Sequence, residues 1–476
     1  MSKKQAVVIG GSVAGLCTAK VLSDHFERVT IIDHDKVPHG AAHRKGVPQS
    51  RHPHVLLDRG RREMTRLFPG FVETILSRGA LDLDPGLDLA VLQPERWAPR
   101  RPDGHQMLFA SRILIESVVR EIVATVERIS FFEATEATGL VLSDNGSRRV
   151  IGVEVTDKDT GARKTINADL VIDATGRSTD VPRWLEALGL PKVPREIVDA
   201  DAGYSTLWYQ APSAERRPAE WWWQGAFLNP TFEHSARRDE DLYFGLLFPI
   251  EENRWIVTVA SWGGRPLPKD HESFASLLSR LRTPLLAGAC ELATPISPVF
   301  YRRGMQNIWN HYENWEGRLG GLVATGDAIC AFNPVYGQGM TSASVCAGIL
   351  GDCLAAGDPA DPEWAAAFFK KQAQFVGQPW ALAVARDRQA VSNLHAPENP
   401  MQKQAAEIFG RIMSEGGDYA EIAEAIFDVF NLNRSPESLM NDPKSLAVVA
   451  KIMSSPPKRA VPPESIEAYP PQTATA

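Results

Sequence analysis

The chain has little cysteine: five residues, Cys17, Cys290, Cys330, Cys346 and Cys353, an odd number with no C-x-x-C pair among them. That argues against a disulfide framework or a thiolate zinc site and suits a reducing cytoplasm. Histidine offers no better ligand set, because His52 and His54 stand close together without a partner motif, so no metal is expected. Basic charge is not in excess either. The net charge is −7 and the cations are scattered, apart from a short cluster at Arg59, Arg61 and Arg62, which argues against nucleic acid as the main partner. No uncharged apolar run reaches the roughly 18 residues that span a bilayer. A strand-like run starts by Gln5, where a secretory leader would have to lie. The expectation is a cytoplasmic protein without a transmembrane segment.

What is present is a globular composition, 44% hydrophobic and 23% charged, in 476 residues. A chain this long needs two or three structural units and can bury a cofactor between them. From Gln5 to Asp33 it reads strand, glycine turn, helix, strand (QAVVIG, GSVAGLCTAKVLSDHF, ERVTIID), one β-α-β unit. Within it, Gly10, Ser12 and Gly15, with Ala19 following, form a G-x-S-x-x-G-x-x-x-A variant of the dinucleotide fingerprint. Gly10 permits the tight turn, Ser12 sits where backbone approaches a pyrophosphate, and Gly15 lets helix pack on sheet, so that free N–H groups and the helix dipole face the phosphates. Asp33, about 20 residues on, ends the second strand where a carboxylate accepts ribose hydroxyls. Ser in place of the middle glycine weakens the motif. Taken alone, this fingerprint could hold NAD, FAD or nothing.

A second constellation lies far away, in GDAICAFNPVYGQGM: Gly326, Asp327, Pro334, Gly337 and Gly339. Two glycines just before a helix let its N-terminal amides approach a planar ring or an anion, and Asp327 can hydrogen-bond a polyol such as ribityl. An ordinary turn and cap explains the same residues. Between the two constellations, His43 to His54 reads as a basic extended loop before the helical run VLLDRGRREMTRLF. Leu108 to Val126 reads as a helix, followed by a meander with a turn at Asn145-Gly146, and ADLVIDATG as a buried strand. Aromatic and polar residues alternate from about Asp199 to Ser297, as in an antiparallel sheet, and Trp208, Trp223, Phe227 and Tyr243 are candidates to line an apolar pocket there. Pro362 to about Met453 is helical by pattern, with no chemistry visible in it. The Pro-, Thr- and Ala-rich end after Ser454 reads as a disordered tail.

In order, the glycine fingerprint, Arg112 in a helix, the D-x-x-G strand end at 173–176 and the GD…P…GxG segment resemble the aromatic-hydroxylase-like FAD monooxygenases over roughly residues 5–350. HRKGVPQSRHPHVL, ASRILIE, ADLVIDATGR and GDAICAFNPVYGQGMTSA are most similar to the bacterial polyene epoxidases of polyether biosynthesis. The resemblance implies an α/β fold: a Rossmann-like, glutathione-reductase-like FAD-binding domain (1–75, 105–195 and 298–358) interleaved with an antiparallel-sheet substrate domain (76–104 and 196–297). A C-terminal helical region (359–453) and the tail (454–476) follow.

By the same resemblance, Gly10, Ser12, Val13, Ala14, Gly15 and Asp33 hold the ADP part, and Arg44 and Arg112 reach the pyrophosphate and flavin side. Asp327 binds ribityl, while Pro334, Gly337 and Gly339 present backbone to the ring. The implied activity is insertion of one oxygen atom from O2, through a flavin C4a-hydroperoxide, into an apolar electron-rich substrate: alkene epoxidation in secondary metabolism. The alternatives are aromatic hydroxylation, halogenation or isoprenoid reduction. No catalytic side chain is required, because the flavin carries the chemistry. Members that use NAD(P)H directly carry Asp-Gly where this chain has Thr175-Gly176, so the electrons come from NAD(P)H or from a separate flavin reductase. Halogenases carry W-x-W-x-I-P, which Trp221-Trp222-Trp223-Gln224-Gly225 does not match.

Overall fold

The structure is a computed structural model, and it describes residues 5–94, 96–102, 104–143, 148–231, 238–391, 415–456 and 466–472, with a few single residues between 404 and 412. The turn expected at Asn145-Gly146 lies outside them.

Five short strands form one parallel sheet in the order Leu322–Ala324, Leu170–Asp173, Gln5–Ile9, Arg28–Ile32, Ile129–Phe132. The central ones read as near-continuous apolar runs (AVVI, LVID, VTII) because helices or loops cover both faces of a parallel sheet. Two helices pack together against this sheet, Val13–Leu22 and Gly339–Ala356. The second is the one described helix long and apolar enough to cross a membrane, and most of it is buried inside the fold. A three-stranded meander, Thr135–Leu142, Val150–Asp157 and Arg163–Asn167, follows the last strand of the parallel sheet.

The second layer is a seven-stranded sheet built around Gly203–Gln210, Arg254–Ser261, Phe244–Ile250 and Gly225–Leu228. Leu89–Leu92 joins it in parallel beside Gly225–Leu228, bringing an early segment of the chain into a late sheet. Its strands alternate strictly. Leu207, Tyr209, Leu247, Val257 and Val259 point to one side, under the helices His271–Leu278 and Leu285–Leu292. Tyr204, Phe244, Leu246, Phe248, Ala260 and Trp262 point to the other, against Val55, Phe109, Val335 and Tyr336 of the first layer. That second face is therefore the one that looks toward the glycine loops.

Two details differ from the sequence reading. The helical run expected from Val55 begins instead at Asp58, because Val55 and Leu56 pair with Phe109 and Leu108 as a short strand. Part of the expected disordered tail is docked: carbonyls of Glu467, Ala468 and Pro471 accept hydrogen bonds from Trp97, Thr283 and Trp222, at 2.8, 2.7 and 3.0 Å. Ile466 packs beside the same core, so apolar contact supplements those bonds.

Candidate active site

The first glycine turn is as tight as its spacing predicts. Gly10 has φ +106°, and a Cβ there would stand 2.4 Å from the Ala174 carbonyl oxygen. A Cβ on Gly15 would meet the Gly10 carbonyl oxygen at 1.8 Å, so only glycine lets the helix start this close to the strand. Ser12 is the N-cap of the helix Val13–Leu22, but its side chain does not cap it. Its hydroxyl instead donates to Glu116 at 2.9 Å and accepts from Arg112 Nη2 at 2.7 Å, leaving the first-turn N–H groups without a side-chain acceptor.

Around that helix start the fold gathers buried charge from three segments. Asp33 ends its strand with 3% exposure and accepts from Arg44 Nη1 at 2.9 Å. Arg44 also pairs with Asp35 at 3.1 Å and with Glu116 at 2.8 Å, and Arg112 pairs with Glu116 at 2.8 Å. Burial alone would push the Glu116 carboxyl up. The Arg112 and Arg44 guanidinium groups, with hydrogen bonds from Arg44 and Ser12, outweigh it and hold the group below the usual carboxylate range. One atom is left over: Arg112 Nη1 is buried without a hydrogen-bond partner. A buried, unpaired guanidinium N–H beside uncapped helix amides is a donor set for a phosphate oxygen. Next to it opens a cavity of about 290 Å³ lined by Arg44, Arg112, Glu116 and Arg120 on the polar side and Val37 and Phe131 on the apolar side.

The second constellation folds onto the first. A Cβ on Gly326, whose φ is +60°, would stand 2.7 Å from the Ala14 Cβ. Asp327 accepts no hydrogen bond from any described residue. Burial pushes its carboxyl above the usual carboxylate range, against the pull of Arg177 and Arg112. An underbonded carboxylate in such a place suits a polyol hydroxyl. Asn333 caps the turn Pro334–Tyr336 through Val335 N–H at 3.3 Å, Gly337 closes it with φ +67°, and the helix Gly339–Ala356 starts there. At that helix start the side-chain oxygens of Gln338 and Ser342 are buried without partners. Gly339 is open, since its Cβ position is 3.6 Å from Asp327 Oδ1.

The donor set therefore fits FAD: unpaired donors at the phosphate end, an underbonded carboxylate between, and a glycine turn with free polar atoms at the ring end. The structure brings Gly10, Ser12, Val13, Ala14, Gly15, Asp33, Arg44 and Arg112 together around the first turn, and Gly326, beside Ala14, joins them to Asp327, Pro334, Gly337 and Gly339 of the second. Spacing alone did not disclose Gly11, Glu116, Arg120 or Gln338. A Cβ on Gly11 would meet Asp33 Oδ2 at 2.6 Å, and the Gly11 carbonyl accepts from Arg120 at 2.9 Å. Glu116 sits one turn after Arg112 in ASRILIESVVR, and that i, i+4 pairing was the only signal available for it.

The four pocket candidates divide by face. Phe227 lies with Phe244 and Phe248 on the face toward the glycine loops. Trp208 is at the edge of that side, its Nε1 donating to the Arg51 carbonyl at 2.8 Å and its ring against His43 at 5.5 Å. Trp223 and Tyr243 do not line it: Trp223 stacks on Trp221 at 4.9 Å and the Tyr243 hydroxyl donates to the Pro266 carbonyl at 2.6 Å, both within the core on the opposite face. His52 does lie on the flavin-loop side, where its Nδ1 meets Thr206 Oγ1 at 2.9 Å. Burial, with the nearby His54 and Arg302, lowers its pKa to about 3, which keeps the ring neutral.

Comparison with known proteins agrees with this geometry. Residues 5–180 match the family model for FAD dependent oxidoreductases. The chain is 28% identical over 450 residues to protein Rv3254 of Mycobacterium tuberculosis, covering 90% of each. Among solved structures it resembles the flavin-dependent brominase Bmp2 (TM-score 0.63, 12% identity, 94% of this chain and 99% of that one). It also resembles the p-nitrophenol 4-monooxygenase PnpA of Pseudomonas putida DLL-E4 (TM-score 0.62, 15% identity, 91% of this chain and 99% of that one). The fold is the mixed α/β fold of these flavoproteins, the cofactor is FAD, and the chain is an FAD-dependent enzyme.

Proposed function

We propose that this chain is a monooxygenase that inserts one atom of O2 into an apolar, electron-rich substrate, with alkene epoxidation as the reaction and aromatic hydroxylation as the variant. When bound, reduced FAD supplies the activation of oxygen. The observation that carries the reading is the apolar sheet face of Phe227, Phe244, Leu246 and Phe248 set against Val335 and Tyr336, immediately before the Gly337 and Gly339 turn. Such a face excludes water and offers an alkene or ring an apolar contact surface beside the flavin ring, the two tasks left to protein when the cofactor is the reagent.

At the other end of the path, Ser12, Arg112 and the first helix turn bind the pyrophosphate, Asp33 the ribose and Asp327 the ribityl chain. The secondary-metabolic setting follows from the polyene-epoxidase resemblance, and so does the choice of an alkene. For the electrons, Thr175 supports a separate flavin reductase: its hydroxyl donates inward to the buried Asp173 at 2.6 Å, which commits the strand end to its own turn.

The test is an oxygen electrode run on purified protein with FAD and NADPH, NADH or an added flavin reductase. Oxygen uptake with a product heavier by one oxygen is expected, fastest with the reductase. Turnover without oxygen would make the chain a reductase, and a protein that takes up no FAD would sink both.

A further inference from the structure

The helix Pro362–Ala390 sends one carboxylate into the middle of this site. Asp387 has 0% exposure. Its Oδ1 accepts from Trp262 Nε1 at 2.8 Å, Asn333 Nδ2 at 3.1 Å and the Tyr336 hydroxyl at 2.5 Å. Its Oδ2 accepts from Asn307 Nδ2 at 2.6 Å. The donors come from three places: Trp262 follows a central strand of the seven-stranded sheet, Asn307 opens the strand Asn307–Asn310, and Asn333 and Tyr336 flank the turn before Gly337. Asn307 Oδ1 also accepts from Asn333 N–H at 2.7 Å, so the turn is held from two sides.

An ionised carboxylate offers about four lone-pair sites and no donor. Four donors converge here, so the geometry suits the anion, whereas a protonated carboxyl would bring a hydrogen into a ring of donors. Burial leaves the Asp387 carboxyl above the usual carboxylate range, against the pull of the bonds from Tyr336, Trp262, Asn307 and Asn333. A buried charge is costly, and an apolar residue would fill the same space at lower cost. What the charge gains is position: it orients Asn333 and Tyr336, the two ends of the segment whose continuation carries Gly337 and Gly339, and it ties that segment to the sheet through Trp262.

We propose that Asp387 is a positioning residue for the flavin ring, locking the 333–339 turn and setting its register against the substrate sheet. This rests on the reading of that turn as the ring cradle.

The experiment compares wild type, Asp387→Asn and Tyr336→Phe as full-length chains, by FAD titration, by the visible absorption of bound FAD and by thermal melting without FAD. Asn keeps the volume but turns one acceptor into a donor facing donors. Asp387→Asn is expected to bind FAD about tenfold or more weakly, with a shifted flavin spectrum. Tyr336→Phe, which removes one bond and leaves the charge, is expected to move both readouts the same way by less. Wild-type affinity and spectrum in folded Asp387→Asn would overturn the proposal, even if its melting temperature fell, because the role would then be structural only. Should Asp387→Asn not fold, Tyr336→Phe decides by the same two readouts. A wild-type chain with no flavin spectrum overturns the cradle reading and this proposal together, and the wild-type control alone reveals it.

Discussion

Gly326 lies against Ala14, at the distance where a Cβ on one would stand 2.7 Å from the Cβ of the other. This contact joins the two glycine constellations: it brings Asp327 to the start of the first helix, whose first-turn amides have no side-chain cap. Gly326→Ala would add both a close contact and a side chain at φ +60°. A loss of about 1–3 kcal/mol in stability and a marked loss of FAD affinity are expected, measured by urea unfolding and flavin fluorescence titration. Gly176→Ala is the control, with φ +87° and nothing within 4 Å of its Cβ. If both variants lost the same stability and bound FAD alike, the Ala14 contact would carry no weight.

Arg112 holds a second junction, between Ser12, Glu116 and its own unpaired Nη1. Arg112→Ala removes one of the two guanidinium groups that hold Glu116 ionised. The expected cost is about 3 kcal/mol or more, the usual penalty for breaking a buried pair. In the double variant Arg112→Ala/Glu116→Ala much of that stability should return, because no buried charge is left uncompensated, while FAD affinity should stay low because the phosphate donor is gone. Recovery of FAD affinity in the double variant would remove Arg112 from the cofactor site.

The parts of this site that were legible in the sequence are those in which a local spacing dictates a local geometry. Gly10, Gly15 and Asp33 belong to one β-α-β unit, and Gly337 and Gly339 to one turn, so their local geometry could be read without the rest of the chain. Asp387 and Arg120 were illegible because their partners come from segments far away in sequence, and nothing in an ordinary helix marks one carboxylate as buried. Pocket lining failed for a different reason. Strand alternation says which residues share a face, but not which face meets the cofactor: Phe244, Leu246 and Phe248 look toward the glycine loops, and Tyr243, one residue off, looks away. Trp223 has the parity of Phe227 but precedes its strand, where the pleat does not extend.

His52 gives the fold an acid sensitivity of known sign. Its pKa is about 3 in the fold and about 6.5 in an unfolded chain. Below pH 6.5 the unfolded chain takes up a proton that the folded one refuses. Stability contributed by this residue is therefore complete above pH 6.5 and falls as pH drops toward 3, by up to about 1.4 kcal/mol per pH unit. His54, lowered to about 4 by burial and by Arg112, adds a loss in the same direction. His52→Gln should flatten the dependence of the urea midpoint on pH between 6 and 4, and an unchanged slope would mean that His52 is protonated in the fold.

The division of the sheet into two faces separates function from stability. Tyr243→Phe deletes the hydrogen bond to the Pro266 carbonyl on the far face. It should cost about 1 kcal/mol of stability and leave the ratio of oxygenated product to NAD(P)H consumed unchanged. Phe227→Ala opens space beside Phe244 and Phe248 on the near face, the face proposed above to exclude water and hold substrate. Release of hydrogen peroxide per NAD(P)H should then rise severalfold while the melting temperature changes modestly, because Phe227 is only partly buried. Peroxide assay and product quantification on the two variants check both halves. Uncoupling by Tyr243→Phe with none by Phe227→Ala would reverse the assignment of the faces.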